Sequence, residues 1–437
     1  APISDAISST LFYPIELAGT PFPLILGWLV IASFIFTGYF GFLQLRGLGH
    51  SIRLIQGKYS AKNCDATGDA SHFQALSMAL SGTVGLGNIA GVAVAISIGG
   101  AGATFWMILA GFLGMATKFT ECTLAVKYRN ENPDGSISGG PMYYLTKGLA
   151  KRGMGTFGRS LAVLFALCCI GGSIGAGNMF QANQSFQQVV NVTGGATSWW
   201  ADKGWLFGLL IALVLGSVII GGVRSIARVA ERIVPFMVLL YVSAALFVIA
   251  SNVEHIGNAV EQIIDGAFTS AGVTGGVLGA LIQGFKRAAF SNEAGIGSAA
   301  IAHATARTKH PISEGYVALL EPFIDTVVIC TMTALVIIIT GRLDSELTGV
   351  QLTSDAFGSV VSWFPEVVVL FAFSTMISWF YYGLKALTYI TGERPGVELA
   401  FKLFFCSCAV VGSSMSLGPV IDFSDAMIFL MALPNII

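Results

Sequence analysis

The sequence predicts an all-α membrane protein of eleven transmembrane helices, in which one extra N-terminal span precedes two inverted repeats of five spans each. Three observations support this prediction: the apolar composition, the one-sided distribution of the basic residues, and a glycine motif that occurs twice. Of the 437 residues, 54% are hydrophobic and only 11% are charged, whereas soluble domains carry about 25% charged residues. The 53 Gly residues are also typical of membrane helices, which use glycine where they pack closely or break.

Eleven segments are long enough to be helical spans, since a helix needs about 20 apolar residues to cross the hydrocarbon core. They lie near residues 23–45, 71–99, 103–127, 160–190, 205–222, 226–251, 275–302, 315–341, 366–391, 397–412 and 416–434. The segment 254–269 has apolar residues at four-residue spacing, which predicts a helix lying flat on the outer face. We expect this helix to act as a lid-like element without chemistry of its own.

The basic residues predict which way the spans are oriented. The loops after the first, third, fifth, seventh and ninth spans, counted with the helix ends, hold 18 of the 23 Lys and Arg residues, whereas the opposite loops hold only Lys203 and Arg342. Because basic loops stay on the cytoplasmic side, we expect the N-terminus outside and the C-terminus inside the cytoplasmic membrane.

Composition also argues against several other protein classes. The first 22 residues lack the basic segment of a cleavable signal peptide. Six of the seven Cys residues lie in apolar segments, which fits neither a disulfide framework nor the spacing of metal ligands. No basic, aromatic-rich patch indicates a nucleic-acid partner. His303 has no Ser/His or paired-Asp signature beside it, so we expect no enzymatic activity and no organic cofactor.

A short glycine motif occurs in the second and seventh spans, 210 residues apart. The first copy is Ser81-Gly82-Thr83-Val84-Gly85-Leu86-Gly87-Asn88, and the second is Ser291-Asn292-Glu293-Ala294-Gly295-Ile296-Gly297-Ser298. Five spans separate the copies, so the second runs through the membrane in the opposite direction. Paired Gly-interrupted spans at matching positions indicate a transporter whose site lies at the membrane midplane. The sequence thus divides into an N-terminal segment with the extra span (1–65), a first repeat (66–252) and a second repeat (253–437).

Each predicted break offers groups that bind a zwitterion. The half-helix after Gly85 presents backbone N–H groups around Leu86–Asn88 that suit a carboxylate. The half-helix that ends near Ser81 presents unpaired carbonyls that suit Na⁺ or an ammonium group. The alternative is that the glycines serve only close helix packing, although packing alone does not require two matched clusters.

Polar residues in two other spans are further candidates. In the fourth span, Asn178 and Gln181 follow a glycine-rich face at spacing of three, and they either line the outer path or meet water at a helix end. The glycine face itself, Gly171–Gly177, is expected to make helix contacts. In the ninth span, Ser374 and Thr375 offer hydroxyls for a cation, and Trp379 lies one turn further on as a wall for a small pocket. Alone, such hydroxyls more often bond their own backbone.

Ionisable residues inside spans are costly and usually face a partner or a cavity. We expect Lys118 to pair with Glu121 on one helix face, and Glu321 with Asp325 to lie in a solvated inner vestibule. Glu293 lies in the second break, where it is a structural or a site carboxylate. A further expectation is an outer gate formed by Arg287 and Asp422, with Lys286 beside it.

Two further motifs resemble those of the alanine or glycine:cation symporter family. One is the stretch 99–119, beginning Gly99-Gly100-Ala101-Gly102-Ala103-Thr104-Phe105-Trp106-Met107, and the other is Gly139-Gly140-Pro141-Met142-Tyr143-Tyr144. The chain departs from the family at Ile108, where a second Trp is expected. Val84–Asn88 is also similar to the first broken helix of the neurotransmitter:sodium symporters.

The resemblance implies a leucine-transporter-like core and Na⁺-coupled uptake of small neutral amino acids such as alanine and glycine. It implies that the carbonyls of Ser81 and Val84 and the hydroxyls of Ser374 and Thr375 hold Na⁺. The substrate carboxylate would meet the backbone of Thr83, Leu86, Gly87 and Asn88, and the remaining pocket would be shaped by Ser291, Asn292 and Trp379. A proton-coupled carrier and a channel remain alternatives, and the oligomeric state stays open.

Overall fold

The computed structural model describes residues 12–17, 20–59, 66–133, 135–269 and 276–437. The expectation about a signal peptide falls mostly on residues outside these ranges, as does the contribution of Lys62 to the charge count. Within the described ranges the chain is almost entirely helical, with its apolar core running through the centre of the helix bundle.

Seventeen helices are described, numbered here in chain order with short interruptions in the hydrogen-bond pattern included. They are α1 (Leu24–Tyr39), α2 (Leu43–Ile55), α3 (His72–Thr83), α4 (Gly87–Gly99), α5 (Ala103–Tyr128), α6 (Pro141–Ala150), α7 (Gly155–Val192), α8 (Gly204–Ile219), α9 (Gly222–Ser251), α10 (Ile256–Phe268), α11 (Gly276–Asn292), α12 (Ala299–His303), α13 (Pro311–Ile339), α14 (Gly349–Gly358), α15 (Phe364–Thr391), α16 (Pro395–Ser414) and α17 (Leu417–Ile436). Short 3₁₀ turns lie at Gly195–Thr197 and Val253–His255.

Four short strands lie at the ends of the bundle. The strands β1 (Pro14–Leu17) and β2 (Thr20–Pro23) form an antiparallel hairpin just before α1. The strands β3 (Asn130–Glu131) and β4 (Ile137–Ser138) form a second antiparallel pair between α5 and α6. They position the entry and exit of the neighbouring helices and add little to the core.

The helices long enough to span a membrane are fewer than the sequence predicted. Among the described residues, seven helices are long and apolar enough, or nine if each of two bent pairs counts as one span. The predicted first span bends by 76° between α1 and α2, and α8 is apolar but has only 16 residues. The predicted seventh span is divided between α11 and the short α12. The structure is therefore a multi-span helical bundle with broken helices.

Both predicted interruptions are present in the structure. We call α3 with α4 the first broken helix and α11 with α12 the second broken helix. The first bends by 49° between its halves, and Ser71 starts it with a capping box in which its hydroxyl and the Gln74 side chain satisfy each other's backbone N–H. The two breaks lie close together, since a side chain on Gly87 would come within 3.4 Å of the Ser291 backbone.

The amphipathic segment forms α10, but several of its large apolar side chains are exposed although Ile263 is buried. Val260, Ile264 and Phe268 are exposed, whereas small residues such as Ala259 and Ala267 face the protein. A side chain added to Gly102 would come within 2.0 Å of the Gly266 backbone. The helix therefore lies on the bundle through backbone contact at Gly266.

We predict that Gly102→Ala lowers the apparent melting temperature of the detergent-solubilised protein, because the added methyl displaces α10. Overpacking of this kind costs about 1–3 kcal/mol. Gly257→Ala is the matched control, since Gly257 lies in α10 with open space around it and the change only favours the helix. Equal melting temperatures for the two variants would show that α10 is not held through Gly102.

Candidate functional site

The first break is formed where Val84 leaves the helix and Gly85 passes close to α15. Val84 has a ψ of 84°, which ends α3. A side chain on Gly85 would lie 2.1 Å from the Thr375 hydroxyl, so only glycine permits this approach. The chain then resumes as a π-helical turn at Gly87–Gly91 before α4 continues. Wide turns of this kind often mark functional sites.

The second break lies between Asn292 and Ala299. Its backbone turns through the left-handed region at Gly295 and Gly297, and also at Glu293, which has a φ of 56°. A non-glycine residue in this region is uncommon, and strain of this kind is typical of functional sites. The surroundings hold it, because a side chain on Gly295 would meet Leu29 of α1 at 2.5 Å.

A very small cavity lies between the two breaks, with a volume of about 10 Å³ for the centre of a water-sized sphere. This is about the space that one buried water needs. Its lining comes from the first break, α7, the second broken helix, α15 and α17, and consists of Gly82, Thr83, Gly85, Gly87, Ala176, Gln181, Phe290, Glu293, Thr375, Trp379 and Ile428. Five of the predicted substrate residues and Thr375 thus lie at one cavity.

The backbone amides of the first break are covered by side-chain oxygens in this structure. The N–H of Gly85 donates to Asn88 Oδ1 at 2.9 Å, and the N–H of Leu86 donates to Gln181 Oε1 at 3.4 Å. The second bond is long and therefore weak. Two side-chain amide oxygens consequently occupy the position at which we predicted that the substrate carboxylate binds.

Glu293 brings a carboxylate to the cavity wall. It accepts a hydrogen bond from Trp379 Nε1 at 3.0 Å and a short one from the Ser298 hydroxyl. Trp379 is buried and lies on Gly177 of α7, where a side chain would come within 2.2 Å of it. The glycine face of α7 therefore makes room for Trp379, which in turn orients Glu293.

Asp325 joins the two breaks. It lies in the π-helical stretch Phe323–Cys330 of α13 and is fully buried. Its Oδ1 accepts from Asn88 Nδ2 at 2.6 Å, and its Oδ2 accepts from the Ser291 hydroxyl at 2.9 Å and from Thr326 at 2.7 Å. One carboxylate thereby holds the first and second broken helices together.

Buried carboxylates in this bundle fall into two groups. Glu314, Glu321 and Asp425 each contact a cationic or protonatable side chain. For Glu121, Glu293 and Asp325, the described part of the chain shows no Lys, Arg or His partner within 4.0 Å. An uncompensated buried charge is expensive, so the latter three are places where a bound cation or a proton would balance the site.

The hydroxyls assigned to Na⁺ by resemblance meet between α3 and α15. The Ser81 hydroxyl donates to the Ser374 carbonyl at 2.7 Å, and the two hydroxyl oxygens are also 2.7 Å apart. Thr375 Oγ1 donates to the Phe371 carbonyl at 3.2 Å and faces Gly85. Val84 lies at the end of α3 and is fully buried. Ser81 and Ser374 therefore form one polar pair, while Thr375 contacts the first break at Gly85.

Four other predicted substrate residues make structural contacts. Asn178 donates to the Phe405 carbonyl at 2.5 Å and so joins α7 to α16. Asn292 donates to Thr326 at 2.9 Å and accepts from the Ala294 amide, which shapes the second break. Asn88 and Ser291 point to Asp325 rather than into the cavity.

The predicted outer gate has a different acidic partner. Arg287 pairs with Asp425 at 2.5 Å, and Lys286 reaches the same oxygen at 2.9 Å, whereas Asp422 is exposed. The expectation of an Arg287–Asp422 pair is wrong, because the side chain at 425 faces α11 and the one at 422 does not. The Arg287 guanidinium also lies 5.3 Å from the ring centre of Phe290, which lines the cavity.

Two further ionic expectations are also corrected. Lys118 pairs with Glu321 of α13 at 3.1 Å instead of with Glu121, because α13 packs directly against α5. Glu321 and Asp325 are fully buried, so they do not lie in a solvated vestibule. Glu121 instead accepts from Asn435, near the end of α17. Sequence spacing shows pairs on one helix, but it gives no information about pairs between helices.

The sequence did not identify Asp325 as the residue that joins the breaks. The signal available was an Asp in an otherwise apolar span, followed by Thr326 and Cys330 on the same segment. Among the described residues, no cluster of three or more His, Cys, Asp or Glu side chains is arranged for a metal ion. A cation here would therefore have to be held by mixed hydroxyl, carbonyl and carboxylate oxygens.

Comparison with known proteins agrees with this geometry. Residues 13–437 match the model of the sodium:alanine symporter family. The chain is 39% identical over 406 residues to the sodium/alanine symporter AgcS of Methanococcus maripaludis, covering 91% of this chain and 86% of that protein. It is 35% identical over 410 residues to the probable sodium/glutamine symporter GlnT of Bacillus subtilis, covering 92% and 82%.

A solved structure supports the fold independently of sequence. The transporter MhsT, determined in complex with L-phenylalanine, superimposes with a TM-score of 0.58 at 16% identity, over 84% of this chain and 89% of that one. The bundle therefore has the leucine-transporter fold. With the family match over nearly its whole length, the chain belongs to the sodium:alanine symporter family and is a transporter, not an enzyme.

Proposed function

We propose that the protein is a Na⁺-coupled symporter of small neutral amino acids, such as alanine and glycine, that works by alternating access. The observation that carries the proposal is the cavity between two broken helices. Beside it lie the carboxylates of Glu293 and Asp325, which have no Lys, Arg or His side chain within 4.0 Å among the described residues. Family membership supplies the cation-coupled amino-acid class. The relatives named for sodium and alanine or glutamine favour this cation and substrates of this size.

The cavity provides complementary ends for a zwitterion. In our proposal the substrate ammonium faces Glu293, whose carboxylate accepts only neutral donors in this structure. The substrate carboxylate takes the position of Gln181 Oε1 on the Leu86 amide, since that bond is weak and displaceable. The cavity is nearly closed, at about 10 Å³, and Phe290 and Ile428 are among its walls, which favours a substrate with a short side chain.

Two oxygen clusters are candidates for the coupling ion. One comprises Ser81, Val84, Ser374 and Thr375, and it would hold Na⁺ between α3 and α15. The other surrounds Asp325, with Asn88 and Ser291. A cation at either cluster would join elements that alternating access moves apart, so binding of the ion and of the substrate would stabilise the same state and strengthen each other.

The finer architecture also belongs to this proposal. We infer eleven spans, one of them N-terminal to a five-plus-five inverted repeat divided near residues 65 and 252. The outer side is the one that bears α10 and the Arg287–Asp425 pair, with the N-terminus outside and the C-terminus inside. In this arrangement Arg287 and Phe290 close the path above the cavity. Proton coupling is the alternative function, because Glu293 and Asp325 are also groups that a proton would neutralise.

We predict that purified protein in proteoliposomes accumulates labelled alanine only under an inward Na⁺ gradient. The physical reason is that the buried carboxylates require a cation before the occupied site can cross the membrane. Uptake is measured with Na⁺ replaced by choline, with and without an inward proton gradient. Full uptake in choline with a proton gradient would favour proton coupling, and uptake without either gradient that never exceeds equilibrium would indicate a channel.

We predict that Thr375→Ala and Asp325→Asn each raise the half-saturating Na⁺ concentration for alanine uptake by roughly tenfold. The reason is that loss of one charge-assisted contact costs about 1.5–3 kcal/mol. Thr391→Ala is the matched control, because Thr391 makes the same bond to its own helix, at 3.0 Å to the Leu387 carbonyl, away from the cavity. If a variant shows the same Na⁺ activation as the control, the oxygen cluster that contains the changed residue is not the coupling site.

A further inference from the structure

Five ionisable side chains form a continuous buried chain beside the two broken helices, and the proposed transport site uses none of them. We call this set the histidine clasp; it consists of His72, His303, Glu314, Glu321 and Lys118. Four of them have fully buried side chains, and His72 is 10% exposed. Burying so many charges is costly unless each is compensated, so their arrangement calls for a physical account.

Glu314 is the centre of the clasp. Its Oε1 lies 2.6 Å from His303 Nδ1, and its Oε2 makes a short contact with His72 Nδ1. His72 is the first residue of α3 and His303 is the last residue of α12. One carboxylate of α13 therefore holds the start of the first broken helix and the end of the second.

His303 lies between two carboxylates. Its Nδ1 faces Glu314, and its Nε2 lies 3.5 Å from Glu321 Oε2. The longer Nε2–Oε2 contact is electrostatic and not a hydrogen bond, but both ring nitrogens face carboxylates, which only accept, and the imidazolium form places a hydrogen on each nitrogen. Lys118 balances Glu321 at 3.1 Å. With His303 protonated, His303 and Lys118 oppose Glu314 and Glu321, and without that proton Glu314 keeps only His72, which is charged only when it is protonated itself.

The other charged groups around the clasp do not replace this proton. Arg129 donates to the carbonyls of Ala304 and Ala306 just beyond α12, at 2.9 and 2.7 Å. Glu231 accepts from Gln74 at 2.7 Å, near the start of α3. His50 of α2 packs its ring on Tyr316. Glu121 lies on α5 one turn from Lys118 and accepts from Asn435.

Alternating access gives the histidine clasp a function, because transporters with broken helices open when such helix ends separate from their neighbours. The clasp lies at the end of the bundle with Arg129, on the side predicted to be cytoplasmic. We propose that His303 is a proton-binding site, and that its proton locks the inner ends of both broken helices to α13 and so keeps the inner path closed. This inference rests on the proposed function and adds a regulatory ligand, the proton, to it.

The sign of the pH effect follows from the charges. The clasp is closed while His303 carries both hydrogens, and it loosens as the pH rises and the second one is lost. Opening exposes the backbone amides near the inner ends, and amide exchange measures such local opening. Raising the pH should therefore increase the opening of segments 72–78 and 299–306.

The test is hydrogen exchange by mass spectrometry across pH 5.5–10, a window that extends further above than below the ordinary His value of about 6.5 because the two carboxylates beside His303 favour its charged form, with rates corrected for the intrinsic pH dependence. We expect wild-type protection of the two segments to fall about tenfold over this range. Glu314→Gln keeps the shape but removes the charge, so its protection should be low at every pH. Glu231→Gln is the matched control. The Glu231 carboxylate lies beside α3 but contacts Gln74 and no histidine, so this variant should keep the wild-type exchange profile.

The same preparation is first assayed for Na⁺-driven alanine uptake. Absence of uptake in wild type would overturn the proposed function, whereas normal uptake with an unchanged exchange profile in Glu314→Gln would overturn the clasp alone. If Glu314→Gln does not fold, the His72→Gln variant tests the clasp instead, because it removes only the partly exposed side chain of the clasp. The clasp predicts a flattened pH profile in that variant, and a wild-type profile would refute it.

Discussion

The burial of Asp325 is the constraint on which the rest of the structure depends. One carboxylate, removed from water, accepts hydrogen bonds from the first break through Asn88 and from the second through Ser291. Helix backbone can be interrupted at membrane depth only if the freed groups find partners in the protein or a cavity. In the first break Asn88 accepts from the freed Gly85 amide, and Asp325 in turn holds Asn88 and Ser291, so neither break can rearrange without changing the other.

Glycine makes this arrangement sterically possible. Gly85 permits Thr375 to reach the first break, and Gly177 permits Trp379 to lie flat and hold Glu293. The cavity therefore results from close approach of three elements, and its small size follows from the same packing. In the coupling that we propose, a site assembled in this way would bind a small ligand tightly only when an ion completes the balance of charge.

Local features of the fold could be predicted from the sequence, whereas contacts between elements could not. Glycine and small polar residues at mid-span predicted both breaks, and hydropathy placed most helices within a few residues. Lys118 was assigned to Glu121 and Arg287 to Asp422 because spacing along one helix is visible in a sequence, while the facing helix that supplies Glu321 or Asp425 is not. The positions of Asn178 and Asn292 depend on tertiary packing for the same reason.

The central claim is that the cavity binds the amino acid and that oxygens beside it bind Na⁺, with both breaks involved. It is tested most directly by an experimental structure determined with Na⁺ and L-alanine. The account predicts alanine between the Leu86 amide and Glu293, and a cation within about 2.3–2.6 Å of oxygens at Asp325 or at the Ser374–Thr375 hydroxyls, a range taken from Ca²⁺–oxygen distances. Alanine bound elsewhere, with Gln181 still on Leu86 and no cation at either cluster, would contradict it.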